Sequence, residues 1–497
     1  MDVIFSCVIW FLFTWLSIVA LNTIFRGTKP ASRKLPPGPN KLPIIGNLLA
    51  LGEKPHRSTA ELAQIHGSII SLQLGQLTTI VISSESIAKQ VLLTHDSAFC
   101  NRFVPDAVLA HQHDVFSMVW LPVSTAWRTL RKISSSHIFI TQKLDSSQDI
   151  RRKNVHQLLS YVEENCHAGK AIDIGRAAFS TSLNLISNTM FSVDLAANKS
   201  EFRELVWNIM VEAGKPNGAD YFPVLKKIDP QGIKHRLTIQ VGKMLELFDR
   251  VIDQRLKLRE FPGYVKTNDM LETLLNIMED KTEATNRDYI RHLFLDLFLA
   301  GTDTTSNTLE WAMAELLRSP EALSKARLEL EQTIGKGNPV EESDILQLPY
   351  LQAIIKETLR LHPPAPFLIP RKSSIEMEIN GFTIPKDAQV LVNAWAIGRN
   401  ENIWDNPNAF LPERFLESNI DVKGRNFELI PFGGGRRMCP GLPLAIRMLH
   451  LMLGSLLHAF DWKLEDGNTP EEMDMEDKFG ITLQKAKPLH AIPIACN

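Results

Sequence analysis

Apolar residues run without a charge over positions 3–25, long enough to span a bilayer, which takes about 20 residues. Arg26, Lys29, Arg33 and Lys34 follow this run, and only Asp2 precedes it as a charge. That asymmetry predicts a retained anchor with the rest of the chain on the cytosolic side. A cleaved signal is the weaker reading, since the run is long, its basic charges come after it, and no small-residue cleavage site closes it. Residues 34–39, Lys-Leu-Pro-Pro-Gly-Pro, exclude helix and predict a stiff extended segment. Beyond it, helical periodicity dominates. A short helix is predicted over 59–65, strands over 69–83 with a turn at Gly75-Gln76, and a helix over 123–133. Helical patterns then fill 149–258, and the charged stretch 263–286 reads as a partly mobile connection. The longest helical run covers 291–318, about 40 Å, and stops at Pro320. A helix over 350–361 ends at Pro363-Pro364, Asn380-Gly381 marks a hairpin within 376–384, and 390–394 reads as a strand. An apolar helix over 442–459 and strand-like residues 481–494 close the chain.

Composition narrows this picture. The chain has 497 residues, 44% of them hydrophobic and 22% charged, which is ample for one large core. A formal net charge of −2 gives no footing for nucleic acid as a partner. Five scattered cysteines, Cys7, Cys100, Cys166, Cys439 and Cys496, argue against a disulfide framework and for a reducing compartment. No Cys/His spacing matches a zinc site, and His111 and His113 read as part of a polar loop.

Candidate chemistry concentrates in residues 431–441, Pro-Phe-Gly-Gly-Gly-Arg-Arg-Met-Cys-Pro-Gly. Cys439 lies just ahead of the apolar helix, where the helix dipole favours a thiolate, and Pro440 suits a first helical turn. The three glycines permit close approach to a flat ligand. Arg437 is placed to meet an anionic group on that ligand's rim. A thiolate in a Gly-rich loop beside an arginine is what a haem iron with a sulfur ligand requires. No Lys-Ser/Thr follows the glycines, so the loop is not a phosphate cradle. In the long helix, Ala300-Gly301 opens room on one face and Asp303-Thr304 sets a proton source beside it. The alternative for these hydroxyls is bonding back to helix carbonyls.

The pattern Phe432-x-x-Gly435-x-Arg437-x-Cys439-x-Gly441 resembles the haem loop of the cytochrome P-450 superfamily. Trp127-x-x-x-Arg131, residues 300–305, Glu357-x-x-Arg360 and Pro412-Glu413-Arg414-Phe415 resemble its other motifs, in the same order. The resemblance implies a mainly α fold with small β-sheets preceded by one N-terminal transmembrane helix. It implies an anchor over 1–28, a basic, proline-rich hinge over 29–40 and a catalytic domain over 41–497. It implies haem b held by Cys439, with Phe432 near the sulfur and Gly441 and Ala300 against the cofactor. Trp127, Arg131, Arg371 and Arg437 would meet the propionates, Thr304 and Asp303 would deliver protons, and Glu357, Arg360 and Arg414 would form a structural triad.

Longer stretches such as LPVSTAWRTLRK, DPQGIKHR and KFGITLQKAKPL resemble the geraniol 8-hydroxylase group of plant terpenoid hydroxylases. That resemblance implies a monooxygenase in the endoplasmic reticulum membrane, its catalytic domain cytosolic. It would use O2 and electrons from NADPH, passed on by a separate cytochrome P-450 reductase, since no nicotinamide or flavin fingerprint is present. A small apolar terpenoid is the implied substrate, with a sesquiterpene, diterpene or xenobiotic as the alternative. Phe116, Val119, Leu297, Phe367, Ile369 and Phe479 are the candidate substrate contacts. A haem-thiolate isomerase or dehydratase, or a non-catalytic haem sensor, is opposed by the intact Asp303-Thr304 pair.

Overall fold

The computed structural model describes residues 34–193, 200–279, 286–465 and 469–495, with isolated positions before residue 18. The anchor expected over 1–28 and the first residues of the hinge lie, those positions aside, outside the described residues. The described chain is mainly helical with small sheets, as expected. Its principal helices are α1 (Pro55–His66), α2 (Thr125–Ile133), α3 (Gln148–His167), α4 (Ile174–Phe191) and α5 (Ser200–Ala213). They continue as α6 (Ile233–Arg259), α7 (Arg287–Arg318), α8 (Pro320–Ile334), α9 (Pro349–Leu361) and α10 (Leu442–Ala459).

Five strands form the largest sheet: β1 (Ile69–Leu74), β2 (Leu77–Ile82), β3 (Asn101–Arg102), β5 (Arg371–Lys372) and β8 (Gln389–Val392), in the order β1-β2-β8-β5-β3. Only the β2–β8 pairing is parallel. The β1–β2 turn falls at Gly75, whose φ of +58° suits glycine. A hairpin joins β6 (Met377–Ile379) to β7 (Phe382–Ile384) through Asn380 and Gly381, both left-handed. A third sheet sets β12 (His490–Ala495) between β4 (Ile172–Asp173) and β9 (Phe460–Leu464). The last pairs β10 (Asp477–Lys478) with β11 (Gln484–Lys485), so the strand-like tail over 481–494 is two strands and not one.

Residues 34–40 are extended, as their prolines require, and they are fastened to the sheets. The Ser71 N–H donates to the Pro37 carbonyl at 2.8 Å, and the Thr383 N–H to the Lys34 carbonyl at 2.8 Å. A Cβ at Gly38 would meet the Ser71 carbonyl oxygen at 2.1 Å, so this approach admits only glycine.

Helix α7 joins two apolar cores. Its first half, Ile290 to Phe298, packs with α4 and α6, where Phe191, Phe248, Phe294 and Phe298 meet ring to ring. Its second half, Leu309 to Leu317, packs with α3, α9 and α10. Helix α10 is long and apolar enough to cross a membrane, yet 56% of it is buried within this second core. One expectation fails. Residues 270–279 form a helix inside the stretch predicted as a mobile connection, and Met270, Leu271, Leu274 and Leu275 are buried. Their spacing at i, i+1, i+4 and i+5 marks one helical face, which the flanking charges obscured.

Candidate active site

The cysteine loop is built from its own backbone. The Cys439 N–H donates to the Phe432 carbonyl at 2.9 Å, and the Met438 N–H to the Gly435 carbonyl at 3.1 Å. Gly435 has φ +67°, and a Cβ there would lie 1.9 Å from the Leu92 carbonyl oxygen, so no other residue fits. Gly441 caps α10, and the proline in the helix's first turn is Pro443, not Pro440. The Cys439 Sγ is turned toward an internal cavity and receives the Gly441 and Leu442 N–H groups. Burial nevertheless pushes its thiol up, against the pull of those N–H groups and of the nearby Arg131 guanidinium. The expected thiolate therefore needs a cation at the sulfur, which a bound metal supplies.

The cavity holds about 1800 Å³, counted to its open mouth. Cys439, Phe432, Gly441, Ala300, Thr304, Trp127, Arg131, Arg371 and Arg437 all line it, as do Val119, Leu297 and Ile369. Gly301 brings α7 against α4, since a Cβ there would lie 2.7 Å from Ile186 Cδ1. Leu368, also on the wall, holds a left-handed φ of +55°, a conformation costly for a branched side chain.

Four arginines share this wall. Trp127 donates its indole N–H to the Met118 carbonyl at 3.1 Å, and the Arg437 guanidinium lies 4.5 Å over its ring. Arg437 also donates to the carbonyls of Cys100 at 2.9 Å, Met118 at 3.2 Å and Leu121, stitching the cysteine loop to residues 100–121. Arg371 donates to the Gly434 carbonyl at 3.3 Å and lies 3.4 Å from Asp96. Arg102, absent from the sequence-based set, is buried on the same wall and donates to the Ile369 carbonyl at 2.9 Å. The Arg131 guanidinium makes no hydrogen bond or ion pair with the described residues, while its carbonyl accepts the Ser135 hydroxyl at 3.0 Å.

Burial first, then mutual repulsion, holds the Arg102 guanidinium well below its usual range. Burial is the leading cause for Arg371 and Arg437 too, the latter lowered to about 10. The carboxylate in contact with this group is Asp96, which Arg436 also engages. Such an excess of buried positive charge calls for an anionic ligand. A flat macrocycle with two carboxylates, bound through iron to Cys439, suits this wall, so the residues present fit haem b.

Other expected residues sit elsewhere. Asp303 is fully buried away from the cavity, accepting from Thr482 Oγ1 and, at 3.3 Å, from Gln484 Nε2. Thr304 Oγ1 donates to the Ala300 carbonyl at 2.6 Å, so the back-bonding alternative holds for it here. Phe116 stacks on His292 at 5.3 Å and does not line the cavity. Neither do Phe367 and Phe479, which meet edge to face at 6.0 Å in a small core with Ile70 and Leu72. Phe367 and Phe479 pack in that core, and Phe116 is half-buried against His292 and Tyr289. His113, expected in a polar loop, is buried against Asp296 and His292, and no cluster of three or more His, Cys, Asp or Glu that could hold a metal ion occurs among the described residues.

Glu357, Arg360 and Arg414 do meet. Arg360 donates to both Glu357 oxygens at 2.7 Å, Arg414 Nε to Oε1 at 3.0 Å, and the Leu411 N–H to Oε1 at 2.9 Å. Arg360 also bonds the carbonyls of Gly398, Pro407 and Ala409. The cluster thus ties α9 to residues 398–414, and none of these bonds reaches the cysteine loop itself.

Comparison with known proteins agrees with this arrangement. The family model for cytochrome P450 matches residues 36–491. Geraniol 8-hydroxylase of Catharanthus roseus is 54% identical over 484 residues, 97% of this chain and 98% of the relative. Geraniol 8-hydroxylase of Swertia mussotii is 55% identical over 486 residues, 97% of each. Drimenol monooxygenase of Persicaria hydropiper is 53% identical over 488 residues, again 97% of each. The chain belongs to the cytochrome P450 family and is a haem-containing monooxygenase served by a separate reductase.

Proposed function

We propose that this protein hydroxylates a small, largely apolar terpenoid alcohol such as geraniol, at a methyl group remote from the hydroxyl. The observation that carries the reading is the near-full-length identity, 54% and 55%, with two geraniol 8-hydroxylases. The wall formed by Leu185, Ile186, Leu297 and Ile369 agrees with it, because burial there yields roughly 25 cal/mol per Å² with few directional bonds. Identity of 53% to a drimenol monooxygenase keeps a sesquiterpene alcohol as the second reading.

Bound haem supplies the activation of dioxygen and the oxidation of carbon, with electrons from NADPH through the reductase. The chain's residues position and protect that chemistry. Cys439 would hold the iron, its sulfur steadied by the Gly441 and Leu442 N–H groups, with Phe432 and Gly441 beside it on the cavity wall. Arg131, Arg371, Arg437 and Arg102 would neutralise the propionates, and Trp127 holds Arg437 in place. Ala300 and Gly301 keep the long helix thin beside the cofactor. Thr304 presents a hydroxyl to the cavity, and Asp303, whose carboxyl pKa is raised by burial, would relay protons to it. Glu357, Arg360 and Arg414 act structurally.

The anchor over 1–28 and the hinge over 29–40 place the domain of 41–497 on the cytosolic face of the endoplasmic reticulum. The extended, sheet-bound residues 34–40 support a fixed orientation over a loose tether. The test is a panel assay of reductase-supplemented microsomes with geraniol, nerol, drimenol and a phenolic diterpene. Geraniol and nerol should both turn over, since a hydrophobic pocket separates such neighbours by only about 1–3 kcal/mol. Turnover of the diterpene alone, with no spin-state shift from geraniol, would overturn the monoterpenoid reading.

A further inference from the structure

One carboxylate stands among the described residues that line the cavity. Asp296 lies on α7 one turn before Ala300, and the residue is only 5% exposed. Its oxygens are engaged from the side of residues 113–119. Oδ1 accepts the Ser117 hydroxyl at 2.6 Å and lies 3.2 Å from His113 Nε2. Oδ2 meets the Val119 N–H at 3.4 Å, a long contact that leaves most of its accepting capacity unused. His113 Nδ1 lies 2.8 Å from His292 Nδ1. Burial holds His292 far down, to about 3, with His113, Arg291 and His111 adding to the effect. A neutral His292 can donate from Nδ1 to His113, whose Nε2–H then donates to Asp296. The chain of three side chains is satisfied without a buried cation, and it fixes Asp296 on the cavity wall with Oδ2 the less engaged of its two oxygens.

We infer that Asp296 is a specificity-determining residue: it accepts the hydroxyl of the terpenoid alcohol and so directs oxidation to the molecule's other end. Asp296 and Thr304 are eight residues apart on one helix, about 12 Å along its axis. That separation is comparable with the length of an extended acyclic monoterpenol. Binding the hydroxyl at Asp296 therefore brings the remote methyl groups toward Thr304 and Cys439. The remaining wall is apolar apart from hydroxyl side chains and the arginines assigned to the cofactor, so one donor–acceptor pair sets the substrate's polarity in the pocket. A site built to bond a hydroxyl also disfavours the analogue that lacks it, because the spare accepting capacity of Oδ2 would then go unused in a buried site. The inference rests on the terpenoid-alcohol reading above and sharpens it.

The experiment titrates the full-length, haem-loaded protein by spin-state shift. The probes are geraniol, drimenol and the deoxy hydrocarbon of each. Wild type should bind each alcohol about ten- to hundredfold more tightly than its hydrocarbon, the range for a hydrogen bond to a charged group. Asp296→Ala should lose that preference, keep the hydrocarbon affinity and the reduced-CO band, and scatter the site of hydroxylation. Asp296→Asn, which still accepts from Ser117 and Val119, guards against misfolding and should show an intermediate preference. Equal binding of alcohol and hydrocarbon by wild type overturns the inference, as does an unchanged preference in the variants. Equal loss for both ligands in Asp296→Ala, with Asp296→Asn like wild type, would make Asp296 a packing residue and also overturn it. If geraniol fails while drimenol keeps the Asp296-dependent preference, the monoterpenoid reading falls and this one stands. Binding of neither skeleton overturns both.

Discussion

Arg102 stands directly opposite Arg371 in the antiparallel pairing of β3 with β5. Like charges facing across a ladder destabilise it, and both side chains are buried, so the protein alone carries the cost. A dianionic cofactor offsets it. Replacing either arginine with leucine should therefore stabilise the haem-free protein while weakening haem retention about ten- to hundredfold, the range for a lost charged hydrogen bond. Thermal melts of the apo form and the haem-to-protein ratio after gel filtration read the two signs separately. Retention equal to wild type in both variants would remove these arginines from cofactor binding.

Cys439→Ser should abolish the red-shifted absorption of the reduced CO complex, because a serine oxygen does not replace the thiolate's electron donation. The loop should survive the change, since its turns rest on Gly435 and on the Cys439 N–H, neither of which needs sulfur. Circular dichroism like wild type with no red-shifted band is the expected result. A band of normal intensity would place the iron ligand elsewhere.

Much of this molecule is legible where the signal is local. The hairpin at Asn380-Gly381, the turn at Gly75, the span of α7 and the glycines at 433 and 435 are demands of backbone geometry, and each shows in neighbouring letters. What the sequence does not disclose is tertiary. Arg102 joins the cavity because a two-residue strand pairs with another far along the chain. Asp296 reads as an ordinary helix acid until Ser117 and His113 are seen against it. Phe116, Phe367 and Phe479 read as pocket residues because an aromatic near a site gives no sign of which side of its backbone it will fill.

Glu357→Ala should yield little haem-loaded protein. Arg360 is buried and would keep its bonds to Gly398, Pro407 and Ala409 while losing its counter-charge. Breaking a buried pair in this way costs about 3–5 kcal/mol. Arg414→Ala should be milder, because Arg360 still neutralises Glu357 through both oxygens. Expression level and the reduced-CO signal per milligram rank the variants. A fully loaded Glu357→Ala protein with only a catalytic defect would contradict a structural role.

Thr304→Ala should retain haem and substrate binding but divert electrons from product to peroxide. Its hydroxyl is the polar group of residues 300–304 that both lines the cavity and can carry a proton. Thr482→Val tests the group behind it. Asp303 would lose the Thr482 hydroxyl while keeping Gln484, at 3.3 Å, and Asn307, and its pKa would rise further. Product per NADPH should fall in both variants, more in Thr304→Ala, with a larger solvent isotope effect in Thr482→Val. Unchanged coupling in Thr482→Val would separate Asp303 from proton delivery.

His450 gives the fold an acid-sensitive limb that can be reduced by one substitution. It lies in α10, 4% exposed; its Nδ1 bonds the Ile446 carbonyl at 2.6 Å, and its Nε2 is buried without a partner among the described residues. Burial lowers its pKa from 6.5 to about 4. Between those values the unfolded chain binds a proton that the folded chain refuses, so stability is fully present above about pH 6.5 and drains away as pH falls toward 4. The full effect is roughly 3 kcal/mol, at about 1.36 kcal/mol for each tenfold difference in proton affinity between the two states. His292, lowered to about 3, and His56 and His362, also lowered, act with the same sign, so the limb will not vanish when His450 alone is changed. His450→Leu should be nearly neutral at pH 7, because it removes an unpartnered polar atom and keeps the helix. At pH 5 it should exceed wild type by about 2 kcal/mol, the share of the effect accrued over that interval. Urea midpoints of the haem-loaded protein at the two pH values measure the difference directly. Parallel decline of wild type and variant would show that His450 is protonated in the folded state and contributes nothing to the acid limb.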